Sequence, residues 1–386
     1  MQVYLDNSAT TAAYPEVVKA VVDALTHNYG NPSSMHSMGV QSEKLLKAAK
    51  RSVAKAIGAS EKDIIFTSGG TEANNLAVMG IAQAHKKTGN HLITTSIEHP
   101  SVLNAFKALE EDGFDVTYIE PNAEGIISAD KVLEAVRNDT TLISIMHVNN
   151  ETGAIQPVSE VAKALKKLKR KPMLHSDGVQ ALGKIKVAIK RLGVDLYTIS
   201  GHKIHGPKGS GALFIKEGTK IRPRQVGGSQ QKGIRPGTEN VPGHVGLGAA
   251  CDILLDNFAS DTARLLSLKE NFYNQLSDRL DTLKLNGLIN ENFAPHVVNI
   301  SFVGMRGEVL LHDLESKGIY VSTGSACSSK NKSYSHVLRA MGLSEAQMEG
   351  AIRFSFNADI TEDQVKYAVD TIVNSVKSLE KIIKGR

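Results

Sequence analysis

Seven short apolar runs, separated by stretches of helical period, constrain this chain more than anything else in its first 215 residues. They are Asp63 to Ser68, His91 to Thr95, Phe114 to Ile119, Thr141 to Val148, Met173 to Ser176, Asp195 to Ser200 and Gly211 to Ile215. Near-continuous apolar character at this length marks strands covered on both faces. Thr71 to Thr88, Pro100 to Glu111, Ser128 to Arg137 and Val158 to Arg170 carry the spacing of amphipathic helices between them. Strand alternating with helix predicts an α/β fold, a mostly parallel seven-stranded sheet between helices.

Past Asn240 the pattern changes. A long helical stretch to about Leu283 precedes a strand at Val297 to Val303, a helix at Gly307 to Lys317, a strand at Ala351 to Phe356 and an amphipathic helix from Thr361 to Lys384. This predicts a smaller α+β domain, since 386 residues exceed what one core usually fills. The expected division is a leading segment 1–14, a large domain 15–258 and a small domain 259–386. N-terminal residues, including helices Pro15 to Asn28 and Gln41 to Ile57, are expected to pack back on the small domain.

Charge excludes little. Forty-five basic residues stand against 40 acidic ones, for a net charge of +5 spread along the chain. The one dense basic run, Lys163 to Lys171, has helical spacing and no interleaved aromatics, and there is no tryptophan; it reads as a solvated helix face, with no direct nucleic-acid contact expected. A docking protein is the partner it would suit. No apolar run approaches the ~20 residues of a membrane span, and MQVYLDNSATT lacks the character of a secretory signal. Two cysteines, Cys251 and Cys327, form neither a disulfide framework nor a CxxC pair. A cytoplasmic protein without a metal site is expected.

Ligands of open parallel sheets bind beyond the carboxyl ends of the strands. The residues that follow the predicted strands are TSGGTEANN (67–75), SIEHP (96–100), HVNNETG (147–153), HSDGVQ (175–180) and SGHKIHG (200–206), all polar. Gly69, Gly70 and Thr71 at a helix start suit a phosphate, whereas neither a Walker lysine nor a GxGxxG follows a strand. Lys203 in a partly desolvated crevice loses its charge readily and can form a Schiff base with a carbonyl. Pyridoxal 5′-phosphate (PLP) needs such a lysine, together with a carboxylate against its ring nitrogen, for which Asp177 is the candidate. His99 can lie over the ring and handle protons, Asn150 and Gln180 can bond its oxygen, and Ser200 and His202 can add phosphate donors. Plainer roles are also open: a solvated Lys203, Asp177 as a helix cap, His99 at a helix entry, an Asx turn at Asn149 and Asn150, and Gln180 on a helix surface.

Nine segments together resemble the cysteine desulfurases of the NifS/IscS-like group, fold-type I PLP enzymes of the class-V aminotransferase family. They are LDNSATT (5–11), YGNPSSMH (29–36), TSGGTEANN, Glu98-His99, HVNNETGAIQP (147–157), SGHKIHGPKG, RPGTEN (235–240), STGSACSS (322–329) and AIRFSF (351–356). The resemblance implies that Lys203 holds PLP, His99 stacks on it, Asp177 pairs with its nitrogen, and Asn150 and Gln180 bond its oxygen. It implies Gly70, Thr71, Ser200 and His202 at the phosphate, Thr238 reaching the phosphate of the other subunit of a homodimer, and Arg353, with Asn150, at the substrate. Cys327, on a loop of small residues, is implied to take sulfur from L-cysteine as a persulfide, leaving alanine, and to pass it to an acceptor protein, an iron–sulfur scaffold or a tRNA-thiolation enzyme. Cys251, inside AACDILL, reads as a buried helix residue.

Three departures from the family pattern stand out. Gly178 replaces an alanine expected against the ring, which predicts a looser wall there. Pro236 and GGSQQKG (227–233) alter the intersubunit phosphate segment, and the sequence ends at KIIKGR without the long tail that docks iron–sulfur scaffolds, leaving the acceptor open. Alternative readings are another fold-type I enzyme, such as a selenocysteine lyase, an aminotransferase or a kynureninase-like hydrolase, and a non-catalytic sulfur-relay or RNA-binding protein on the same fold.

Overall fold

The computed structural model describes residues 1–323 and 334–384. Seven strands form the large sheet: Ile64–Thr67, His91–Thr95, Asp115–Ile119, Thr140–Ser144, Met173–Asp177, Leu196–Ser200 and Gly211–Ile215. Their spatial order is first, seventh, sixth, fifth, fourth, second, third. All neighbours run parallel except Gly211–Ile215, which is antiparallel to both of its own. Five strands have every residue buried by helices on both faces, among them Leu196–Ser200, which leads to Lys203.

A second sheet joins Leu283–Leu285, Val297–Phe302, Ala351–Ser355 and Ser322–Thr323. It carries its own core, in which Phe272 lies within 5.0 Å of Phe354 and 5.2 Å of Phe356, centroid to centroid. The helix Val241–Ser277 belongs to both halves: Leu247, Ala250 and Cys251 enter the large-sheet core, and Leu265, Leu268, Phe272 and Leu276 the small one.

The chain start is divided in a way the sequence reading did not anticipate. Strand Val3–Tyr4 pairs with Ile319–Tyr320, and Val3 and Leu5 join the small core, so the first residues do return there. Helices Pro15–Thr26 and Ser37–Ile57 do not. They pack on Val241–Ser277, and Val17, Leu46, Ala49, Val53 and Ile57 enter the large-sheet core. Two further boundaries shift. The helix at Val158 stops at Leu165, because the cationic residues beyond it have no apolar face to bury, and Thr140–Ser144 ends before the Asx turn at Asn149. Among the described residues no helix is long and apolar enough to cross a membrane, and no group of His, Cys, Asp and Glu could hold a metal ion.

Gly178 has a packing reason. A Cβ there would sit 2.0 Å from Cζ of Tyr197, which is fully buried with its hydroxyl 2.8 Å from His147 Nδ1. Tyrosine at 197 thus excludes any side chain at 178. Gly178→Ala should lower stability by about 1–3 kcal/mol, the usual range for overpacking, in urea unfolding of the cofactor-free protein, and adding Tyr197→Leu should return most of the loss.

Candidate active site

The carboxyl ends of the parallel strands converge on one cavity of about 380 Å³. Its lining holds Gly70, Thr71, His99, Asn150, Asp177, Gln180, Ser200, His202, Lys203 and Arg353, residues from six separate stretches of sequence. Thr238 is not among them. It is exposed in a separate hollow with Gln225 and Gly227, where Pro236 packs against Gly227. Cys327 lies outside the described residues; Cys251 is free and wholly buried, and burial pushes its thiol pKa up.

At the floor, Asp177 ends its strand 5% exposed. Its Oδ2 accepts from Asn74 Nδ2 at 2.7 Å and its Oδ1 from the Val179 N–H at 2.9 Å. No helix starts here, so Asp177 caps none; the bond to Val179 closes an Asx turn and leaves one edge of the carboxylate to the cavity. Val179, and not Gly178, lines the wall beside it, so the glycine opens no gap at this face. Gln180 is fixed at both ends: its Nε2 donates to Ser8 O at 2.9 Å, and its Oε1 lies 3.2 Å from His296 Nε2, which must be the donor.

Opposite, the helix Gly70–His85 starts without a side-chain cap, leaving its first N–H groups free at the cavity. A Cβ on Gly70 would meet Val179 at 2.9 Å and Ser200 at 3.6 Å, so only glycine lets the backbone approach so closely. His99 caps the next helix, Pro100–Glu111, while its ring remains open to the cavity, so its helix-entry role and its place in the cavity coexist.

Lys203 Nζ donates to the carbonyls of Ser8 and Ala9, the latter at 2.7 Å. Burial and then the nearby Arg353 lower its pKa to about 8, against the opposing pull of Asp6 and Asp177. His202 is lowered to about 4, by burial first and Lys203 next, and is neutral. Arg353, 9% exposed, spans the cavity rim, NH1 donating to Asn150 O at 2.9 Å and NH2 to Asp6 Oδ1 at 2.8 Å. Among the described residues its Nε is buried without a partner, as is Ser8 Oγ. Sequence reasoning missed Asp6, Ser8, Asn74 and His296. The first three stand inside quoted motifs, but what they bond lies 103 to 347 positions away.

The donor set fits PLP. Free helix N–H groups, Thr71, Ser200 and neutral His202 match a phosphate, a buried carboxylate on the floor matches a ring nitrogen, and an amine with a lowered pKa matches an aldehyde.

Comparison with known proteins agrees. Residues 3–368 match the family model for aminotransferase class-V. A cysteine desulfurase IscS of Clostridium botulinum is 42% identical over 386 residues, covering all of this chain and 95% of that one. Its namesake from Dictyoglomus turgidum is 42% identical over 381 residues, 99% and 96% of the two chains. A solved NifS-like protein superposes with a TM-score of 0.92 at 36% identity, over 98% and 100% of the chains. A NifS-like protein from Rickettsia africae gives 0.86 at 30% over the same shares. A cavity of this donor set at the strand ends, on a chain matched end to end, has one family reading: the protein belongs to the PLP-dependent class-V aminotransferase family, within its IscS/NifS-like cysteine desulfurases.

Proposed function

We propose that this protein removes sulfur from L-cysteine, releasing L-alanine and holding the sulfur as a persulfide on Cys327. The observation that carries the reading is Lys203, an amine with a pKa of about 8 aimed into a cavity that also holds Asp177 and Arg353. When bound, PLP supplies an aldehyde that condenses with amines and a ring that draws electrons from bonds next to the substrate nitrogen. Asp177 would hold the proton on the ring nitrogen, His99 and Val179 would flank the ring, Gln180 and Asn150 would bond its oxygen, and Gly70, Thr71, Ser200 and His202 would take the phosphate.

Arg353, whose planar fork lines the cavity, orients L-cysteine by its carboxylate. Lys203 Nζ, neutral in part near neutral pH, takes the α-proton. Cys327 Sγ, as thiolate, attacks the substrate sulfur; the new S–S bond forms as the C–S bond breaks, and the carbon fragment keeps the electron pair and is protonated to alanine. The described flanks of the Cys327 segment support this assignment. Ser322 and Thr323 pair with Arg353 and Ile352, Ser335 Oγ donates to Glu151 Oε2 at 2.6 Å, and His336 Nε2 donates to Glu98 O at 2.9 Å.

The working unit is read as a homodimer, in which Thr238 serves the partner's phosphate. Val18, Val22 and Leu25 form an exposed apolar stripe on Pro15–Thr26, with exposed Tyr29, Met35 and Val226 as further apolar surface. A sulfur acceptor, an iron–sulfur scaffold or a tRNA-thiolation enzyme, completes the cycle in a cytoplasmic setting, and residues 1–14, 15–258 and 259–386 are its proposed structural divisions.

Borohydride reduction followed by peptide mapping should place a pyridoxyl group on Lys203, and an adduct elsewhere refutes the assignment. Cys327→Ala should stay yellow yet release no sulfide from cysteine with a reductant present; full turnover would reject the persulfide role. In the cofactor-free protein Lys203 is neutral above about pH 8, so its acylation should reach half its plateau near there. Solvated lysines should do so near pH 10.4.

A further inference from the structure

A line of hydrogen bonds runs beneath the cavity from Asp177 to His99 by way of Asn74 and Ser101. Asn74, one turn into Gly70–His85 and 1% exposed, donates through Nδ2 to Asp177 Oδ2 at 2.7 Å and to Ser101 Oγ at 2.9 Å. A carboxylate only accepts, so the contact with Asp177 fixes which way the amide faces. Both amide protons are used, and among the described residues Asn74 Oδ1 is left buried without a partner, an amide held for its donors.

The direction of each later bond then follows. Ser101 Oγ accepts from Asn74, which leaves its own proton for its other neighbour, His99 Nδ1 at 2.8 Å. The backbone N–H of Ser101 also meets His99 Nδ1, at 3.1 Å, and a backbone N–H can only donate. Two donors therefore converge on Nδ1, which cannot itself carry a proton. Burial lowers the His99 pKa, with Lys203 and His336 adding to it against the pull of Asp177.

We propose that Asn74 and Ser101 are positioning residues that hold His99 with its proton on Nε2, facing the cavity as a fixed hydrogen-bond donor rather than as a base. For Nε2 to be bare and accept a substrate proton, Nδ1–H would have to face the Ser101 N–H, donor against donor. Proton removal falls to Lys203, and the same Asn74 that orders His99 also holds Asp177, so the group over the ring face and the group at its nitrogen are set by one side chain. The inference rests on His99 stacking over PLP as proposed above.

Two-bond ¹⁵N–¹H spectra of holoenzyme labelled on histidine, assigned by the signal lost in His99→Gln, read the ring directly. Near neutral pH His99 should be a single neutral form protonated on Nε2. Ser101→Ala removes one of the two donors and should move the Nδ1 resonance toward that of an unbonded ring nitrogen, with Ser101→Thr restoring it and Asn74→Ala shifting it in the same direction. A proton on Nδ1 in the unaltered protein overturns the proposal, as does an Nδ1 resonance indifferent to both alanine variants. The unaltered protein alone decides the first point should either variant misfold. The spectra can also be taken on cofactor-free chain, so failure to bind PLP, which would sink the functional reading, stays distinguishable from failure of the tautomer.

Discussion

Arg353 is the tie on which the site depends, because it joins parts of the chain that share no core. It rises from the middle of the small sheet, paired with Asn299 and Ser322 on either side, and its guanidinium ends on Asn150 O from the large sheet and Asp6 from the chain start. A planar fork meets two acceptors at fixed angles, which a lysine ammonium on a flexible stem would not do. Asp6 in turn opens a segment that is stitched across the cavity. Asn7 N donates to Ser355 O, Thr11 N to His202 O and Tyr14 N to His205 O, and the carbonyls of Ser8 and Ala9 face Lys203. The first dozen residues thus act as a strap between the two cores. It supplies acceptors to the lysine and Gln180 while taking its own register from the small sheet.

The architecture was legible because it rests on periodicity. Buried strands such as His91–Thr95 and Gly211–Ile215 read correctly to the residue, since each is a short apolar run bounded by polar turns. The strand ends pointed to the cavity for the same reason, nine of the ten expected lining residues lying in the turns that follow or end an apolar run, whereas Arg353 stands inside the strand Ala351–Ser355 and came from the family resemblance alone. The partnerships were hidden. Asn74 meets Asp177 across 103 positions, and Gln180 meets His296 across 116. Nothing in local pattern distinguishes an asparagine that orders a carboxylate from one that faces solvent. Gly178 was misread on family pattern alone, because its reason is Tyr197 on the adjacent strand, a contact set by sheet order and not by sequence spacing. The early stop at Leu165 was missed because helical period persists through Lys166 to Arg170 even though there is nothing left for it to bury.

The charges of the cavity reach a workable state through this arrangement. Removing Lys203 from water favours the neutral amine, and Arg353 reinforces this, while Asp6 and Asp177 hold the shift to a pKa of about 8. Without Arg353 burial alone would oppose the two carboxylates and the amine would hold its proton more tightly; without the carboxylates it would lose it more readily. Asp6 therefore serves twice, as the anchor of the arginine and as a counterweight on the lysine, and a change at that one position would disturb the placement of the guanidinium and the charge of the amine together. Ser8 and Ala9 carbonyls favour the charged form of the same amine by accepting its protons. The lysine is thus poised by the strap that also locates the arginine, and the two functional cations are separated in role by which acceptors that strap presents to each.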